Sequence, residues 1–154
     1  MRRLAARMTL ALACALTATA VCAQSADKAV IYMPAEKVTA AFAKGVPLIE
    51  TGGYKVLAAR RDRDGQAEVH ARDTDIIYVL EGSATIVTGG QVAGGSKTTA
   101  PGETRADSIV GGDARPLVKG DVVIVPNGVP HLFKDVNAPF LYYVVKVTST
   151  TGTP

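Results

Sequence analysis

From Tyr54 onward the chain consists of short segments rich in valine, isoleucine and tyrosine, which are separated by turn-forming residues. The clearest of these segments cover residues 54–60, 75–80, 121–125 and 140–147. Many short strands with turn signals between them, and almost no helical spacing, are typical of a β-sandwich or a β-barrel. The sequence therefore predicts an all-β domain over residues 54–150.

Two dipeptides predict how neighbouring segments are connected. Asp64-Gly65 lies between two extended runs, and this dipeptide is a strong signal for a β-hairpin. Glu81-Gly82 predicts a second turn, after residues 75–80. We therefore expect a hairpin at Asp64-Gly65 and a chain reversal at Glu81-Gly82.

Residues 89–112 have the weakest strand pattern of the region. They contain three Gly-Gly pairs and Pro101-Gly102, without the strand, loop and helix context of a phosphate-binding loop. We interpret them as an extended hairpin or as a mobile loop, and a loop of this length can serve as a lid over a site.

The part of the chain before the β-domain, residues 24–53, is predicted to be an arm with one helix. Residues 30–32 have the composition of a small edge strand. Pro34 suits a first helical position and Gly45 a C-terminal cap, so a helix is expected over residues 34–44. Its apolar residues fall on one face at helical spacing, which predicts packing against a sheet; these are Val38, Ala41 and Phe42.

Residues 1–23 have the pattern of a signal peptide. Arg2, Arg3 and Arg7 precede an apolar run, and a small-residue site precedes Gln24, so we expect export and cleavage after Ala23. The apolar run is too short and alanine-rich for a convincing membrane anchor, although a retained anchor is the alternative. The expected location is periplasmic or secreted, with no membrane association after cleavage.

Cleavage changes what the composition implies. Both cysteines, Cys14 and Cys22, lie in the leader, so the mature chain would have no disulfide and no thiol chemistry. Three of the 17 basic residues lie there too, whereas all 14 acidic residues follow it, which leaves no net charge. No electrostatic case for a nucleic-acid partner remains.

The two histidines of the chain, His70 and His131, each lie beside a strand-like segment, and imidazole is the most common metal ligand in proteins. Glu68 and His70 are two residues apart in an extended run, so their side chains point to one face. Asp75 follows a short turn, where a hairpin partner can bring it beside His70. His131 follows a rigid Pro-Asn-Gly-Val-Pro turn that can direct its ring inward. The pattern predicts a metal site between two hairpins.

These residues fall into two segments that resemble the two motifs of the cupin superfamily. In the second motif segment, residues 120–131, the family's residues all stand at the expected spacing; they are Gly120, Pro126, Gly128 and His131. In the first motif segment, residues 68–82, Asp75 takes the place of the family's Glu, His70 is the second His, and Glu68 replaces the first His. The resemblance covers residues 54–147.

The resemblance implies a jelly-roll β-barrel that holds one divalent metal. The proposed ligands are His70, His131, Asp75 and Glu68. Two imidazoles and two carboxylates suit Mn²⁺, Fe²⁺ or Zn²⁺ rather than Cu(I), because no sulfur is offered. Two ionised carboxylates would also balance the charge of a divalent ion inside a barrel.

Each of these residues also has a simpler interpretation. Either histidine can serve only as a hydrogen-bonding residue, and Asp75 can be an ordinary turn residue that bonds its own backbone. Glu68 has three interpretations: a metal ligand, a general base near the metal, or a solvated side chain. It is the one candidate for a catalytic role.

Strand parity places Ile77 and Val79 on the face of Asp75, and Phe133 on that of His131. A metal beside such an apolar wall would suit a small organic ligand, so we predict that these residues line a pocket. Alternatively, they only fill the barrel core.

Three functions are compatible with a cupin-like barrel of this kind. The first is a metal-dependent enzyme of the oxygenase, isomerase or lyase type. The second is a protein that binds or senses a metal or small ligand without turnover. The third is a metal-free barrel that acts through its surface, for example as a homodimer joined along strand edges.

Overall fold

A computed structural model of the protein describes residues 29–150, in which one helix precedes eleven strands. The helix, α1, spans Ala35–Lys44. The strands are β1 (Pro47–Glu50), β2 (Tyr54–Arg61), β3 (Ala67–His70), β4 (Asp73–Thr88), β5 (Gln91–Ala93), β6 (Lys97–Ala100), β7 (Glu103–Ala106), β8 (Ser108–Val110), β9 (Asp113–Val118), β10 (Val122–Val125) and β11 (His131–Thr148). The predicted leader and its cleavage site lie outside the described residues. Among residues 29–150, no helix has the length and apolar character needed to cross a membrane.

Helix α1 confirms the sequence prediction. Pro34, which was predicted as the first helical residue, instead lies at the N-cap position with an extended backbone. Gly45 ends the helix in the left-handed conformation with φ 64°, donating its N–H to the Ala41 carbonyl. Ala41 is buried, and the Phe42 ring meets the Tyr143 ring edge-on at 4.9 Å. The predicted edge strand at residues 30–32 is wrong, because this part of the chain lies exposed and makes no strand pairing.

Strand β11 organises the sheet, because its length lets it pair with three other strands. Its C-terminal half pairs with β2, its first residue pairs with β3, and nearly its whole length pairs with β4. The order β1-β2-β11-β3-β7-β6, with β9 and β10 added on β4, makes one nine-stranded sheet within residues 29–150. The predicted all-β jelly-roll fold is therefore confirmed.

The predicted hairpin at Asp64-Gly65 is wrong. Strand β2 pairs with β1 and β11, and β3 pairs with β11 and β7. Strand β11 therefore lies between β2 and β3, which a hairpin would have paired directly with each other. The connecting loop docks on β11 instead. Gly65 donates its N–H to the Phe133 carbonyl at 2.9 Å, and the Asp64 carboxylate accepts the Val136 N–H at 3.0 Å.

The predicted turn at Glu81-Gly82 is also wrong, because β4 continues through both residues. Gly82 has φ 75°, and a Cβ atom there would collide with the carbonyl oxygen of Pro139 on β11. The register between β4 and β11 shifts at this level, between Lys134 and Tyr142. The glycine therefore marks a bend in a continuous strand, where the two backbones come close.

Of the two predicted alternatives, an extended hairpin and a mobile loop, residues 89–112 form the extended hairpin. Strand β5 pairs with β8, and the β6–β7 hairpin lies between them along the chain. Strand β7 also pairs with β3, which carries Glu68 and His70. The segment therefore reaches the candidate site, while its role as a lid remains a prediction.

The core lies on the inward faces of the long strands. The Phe133, Phe140 and Tyr142 rings pack with centroids 5.0–5.7 Å apart. Ile77 and Val79, at 1% and 0% exposure, pack into the same cluster. Asp75 and His131 are also buried, so the predicted strand parity is confirmed.

Candidate metal centre

The candidate site forms where β3 meets the start of β11. His131 stands opposite Glu68 in the β11–β3 register, and Glu68 shares its strand face with His70. The ligand atoms of these three side chains all lie within 4.8 Å of one another. The second motif segment is joined to the first by backbone, because Gly128 donates its N–H to the His70 carbonyl at 2.7 Å.

Both imidazoles are oriented through their Nδ1 atoms. His70 Nδ1 lies 2.6 Å from a carboxylate oxygen of Glu103 on β7. His131 Nδ1 has only a long contact, 3.4 Å, with the Val129 carbonyl. A carboxylate on one ring nitrogen fixes the tautomer and leaves the other nitrogen to a metal, as is usual for metal-binding histidines. The two Nε2 atoms therefore face the site.

Two arginines hold the Glu68 carboxylate. It accepts a hydrogen bond from Arg105 at 2.8 Å and lies 3.6 Å from the Arg61 guanidinium. Burial raises the pKa of Glu68, but the charges of Arg105 and Arg61 outweigh it, so the pKa is lowered. Glu68 is therefore an ionised carboxylate beside His70, with Nε2 and Oε2 3.6 Å apart.

Asp75 lies beside both imidazoles, outside the group of three. Its Oδ2 is 3.5 Å from His70 Nε2 and 3.7 Å from His131 Nε2. Both of its oxygens accept hydrogen bonds from Lys146, at 2.7 and 2.8 Å. Burial raises the pKa of Asp75, but the hydrogen bond with His70 and the Lys146 charge outweigh burial, so the pKa is lowered.

Lys146 is a site residue that the sequence prediction missed. Its Nζ lies 2.7 Å from His70 Nε2 as well as against Asp75, so one ammonium joins two predicted ligands. A signal was present: Lys146 has the strand parity of Tyr142 and Val144, which are both buried. A charged residue at an inward position of an apolar strand must find partners inside the fold.

Glu103 and Arg105 were missed for a different reason. They belong to β7, within a segment whose glycines and threonines concealed its strands. In a strand they are two residues apart and share a face. The β3–β7 register places Glu103 opposite His70 and Arg105 opposite Glu68.

The two imidazoles have opposite pKa shifts. Burial lowers the pKa of His70, but its hydrogen bond with Asp75 and the charges of Asp75 and Glu103 outweigh burial, so the pKa is raised. Burial lowers the pKa of His131, and the charge of His70 lowers it further, so the pKa falls despite nearby carboxylates. His70 Nε2 lies 3.5 Å from Asp75 Oδ2 and 2.7 Å from Lys146 Nζ, so either group can be its partner.

The three predicted pocket residues lie in the hydrophobic core next to this cluster. Phe133 is 3% exposed, and the Arg61 guanidinium covers its ring at 4.8 Å from the centroid. Ile77 and Val79 pack against the same core. They form part of the apolar interior beside the site, while contact with a ligand remains a prediction.

A divalent metal fits the donors that the chain presents. Two Nε2 atoms and a carboxylate, brought within 4.8 Å, are the two-histidine, one-carboxylate set found in metal centres with open positions. Glu103 supplies the outer carboxylate that such a histidine needs. Lys146 opposes the fit, because its ammonium takes the lone pair of His70 Nε2.

Solved structures share this fold at low sequence identity. The Bacillus halodurans protein BH2720 is 15% identical with a TM-score of 0.54, over 77% of this chain and 81% of that one. Hydroquinone 1,2-dioxygenase from Sphingomonas sp. TTNP3, with 4-hydroxybenzoate bound, is 13% identical with a TM-score of 0.51, over 69% and 66% of the two chains. No curated protein matches the sequence. The family model for cupins matches residues 23–153, and the chain therefore belongs to the cupin family.

Proposed function

We propose that this cupin binds one divalent metal, Mn²⁺, Fe²⁺ or Zn²⁺, through Glu68, His70 and His131. The observation that carries the proposal is the convergence of their ligand atoms within 4.8 Å in the barrel interior. Asp75, at 3.5 and 3.7 Å from the two Nε2 atoms, is the candidate fourth ligand. Such a donor set favours hard or borderline ions.

The proposed activity is that of an oxygenase, isomerase or lyase acting on a small organic molecule. A bound metal would supply Lewis-acid chemistry or activate water or O₂. The chain's own residues would orient the donors: Glu103 holds the His70 ring, while Arg105 and Arg61 hold the Glu68 carboxylate.

The alternative is a protein that binds or senses a metal or small ligand without turnover. The observation that favours it is the balance of charge within the site as it stands. Each carboxylate of the site already has a partner: Glu68 pairs with Arg61 and Arg105, Asp75 pairs with Lys146, and Glu103 pairs with the His70 ring. No unpaired base faces the two Nε2 atoms within this cluster.

Metal titration of the purified, chelator-treated protein tests the proposal. We expect one Mn²⁺ or Zn²⁺ per chain by calorimetry and elemental analysis, and loss of that binding in the His70→Ala, His131→Ala double variant. Asp62→Asn is the control, because this exposed carboxylate pairs only with Arg60 among the hydrogen bonds of the described residues. Undiminished metal content in the folded double variant would refute the site.

Export is a separate proposal, which the basic start and apolar run of residues 1–23 support. The intact mass of protein from the periplasm or the medium should correspond to a chain that begins near Gln24. Recovery of the full-length chain from membranes would contradict it.

A further inference from the structure

Lys146 occupies the place of a cation in this site. It extends from β11 into the interior, where its side chain is 14% exposed and that of its partner Asp75 is 5% exposed. Its Nζ lies 2.7 Å from Oδ1, 2.8 Å from Oδ2 and 2.7 Å from His70 Nε2. One ammonium thus contacts three candidate ligand atoms.

The lone pair on His70 Nε2 can serve only one cation at a time. Because Nδ1 bonds Glu103 at 2.6 Å, Nε2 is the nitrogen left to accept from Lys146 or to bind a metal. A divalent ion at normal ligand distance from Nε2 would lie almost on the Lys146 ammonium. The two positive charges would also repel each other strongly at this separation. Lys146 and the metal therefore exclude each other.

The fold offers Lys146 a second position. Its side chain borders a cavity of about 200 Å³ on the side of β2. Three carboxylates line this cavity, those of Glu50, Asp73 and Glu103, together with the Lys55 ammonium, which pairs with Glu50. The Lys146 ammonium can turn toward them without leaving the protein, and so without losing an anionic environment.

We propose that Lys146 acts as a tethered cation that exchanges with the divalent metal. In the metal-free protein it neutralises Asp75 and closes the site; when a metal binds, it moves to the cavity lined by Glu50, Asp73 and Glu103. The inference rests on the proposed metal site and adds a residue that sets its affinity. A site filled by its own lysine for about nine-tenths of the time binds a metal about tenfold more weakly than the open site.

The test compares metal affinity in Lys146→Met and in a matched control, Lys55→Met. Lys55 faces Lys146 in the β2–β11 register and borders the same cavity, but its ion pair is with Glu50, at 2.9 Å. We expect Lys146→Met to bind Mn²⁺ and Zn²⁺ at least about tenfold more tightly than the unaltered chain. Lys55→Met should change affinity by less than about threefold.

Calorimetric titration distinguishes failure of this inference from failure of the metal site. Equal or weaker affinity in folded Lys146→Met would overturn the exchange and leave the metal site intact. Absence of binding in all three proteins would overturn both. If Lys146→Met does not fold, Lys146→Gln removes the charge while keeping a polar group for Asp75. Its metal affinity, compared with that of the unaltered chain, then tests the exchange in the same way.

Discussion

The two histidines lie 5.1 Å apart, centroid to centroid, yet they are held in different ways. His131 starts a strand after a rigid turn, and its ring has one long backbone contact. His70 is bonded to Glu103 and Lys146, which come from β7 and β11. The position of His131 therefore follows from a motif, whereas that of His70 depends on charges that two distant strands, β7 and β11, bring to it.

Removal of either histidine should have the largest effect on metal binding. His131→Ala and His70→Ala each delete one of two nitrogen donors, so each should lower affinity by more than the roughly 10–100-fold typical of losing an outer-shell partner. Isothermal titration with Zn²⁺ measures this. The barrel should stay folded by circular dichroism, and affinity retained in either variant would remove that histidine from the ligand set.

The Glu103→Gln variant tests whether His70 depends on its distant partner. The amide no longer fixes the ring as a carboxylate does, so metal affinity should fall by about 10–100-fold although every proposed ligand remains. Asp62→Asn is the control, because this exposed carboxylate pairs with Arg60, away from the site. If both variants bind equally, Glu103 does not position the ring.

Glu68→Gln separates the roles open to this carboxylate, and we expect the ligand role. A neutral amide oxygen is a poorer donor to a hard cation, so affinity should fall by about tenfold. Arg105 would also lose its ionic partner. Full metal occupancy with lost turnover of a substrate would instead make Glu68 a general base. Full metal occupancy with unchanged turnover would show that Glu68 is neither a metal ligand nor a general base.

The smallest effect concerns the pH dependence of stability in the metal-free protein. The pKa of His131 is lowered in the fold, so this residue contributes stability above the pKa of an unfolded histidine, about 6.5, and the contribution is lost as the pH falls. The pKa of His70 is raised, so this residue contributes stability below pH 6.5, and the contribution is lost as the pH rises. Because the two oppose each other, the free energy of unfolding should change little near pH 6.5.

Single variants should expose each half of this balance. His70→Ala should gain stability with rising pH across this range, and His131→Ala should lose it. Each slope should stay below the roughly 1.4 kcal/mol per pH unit of one full proton. Urea denaturation from pH 5 to 8 measures both, and slopes of the same sign would contradict the opposite shifts.

Strand parity and short-range motifs explain what was predictable from sequence. The helix at Ala35–Lys44, the shared face of Glu68 and His70, and burial of Ile77, Val79 and Phe133 all follow from local spacing. The hairpin at Asp64-Gly65 failed because dipeptide signals carry no information about β11, which begins 66 residues after Gly65 in the chain and takes its place.

The missed site residues show the same limit. Glu103 and Arg105 face the site only because β7 pairs with β3, a register that no local pattern encodes. Lys146 was accessible in principle, since it shares the inward parity of Val144. Its meaning needed the partner Asp75, which is 71 residues away in sequence.

The pairing of β11 with three strands has a consequence for when the site can exist. His131 and Lys146 both belong to this strand, which follows every other strand of the described chain. Such long-range pairing forms late, because distant segments must first be brought together. A metal would therefore bind only a chain whose sheet is already complete, and its binding free energy would stabilise the whole barrel against unfolding rather than one loop of it.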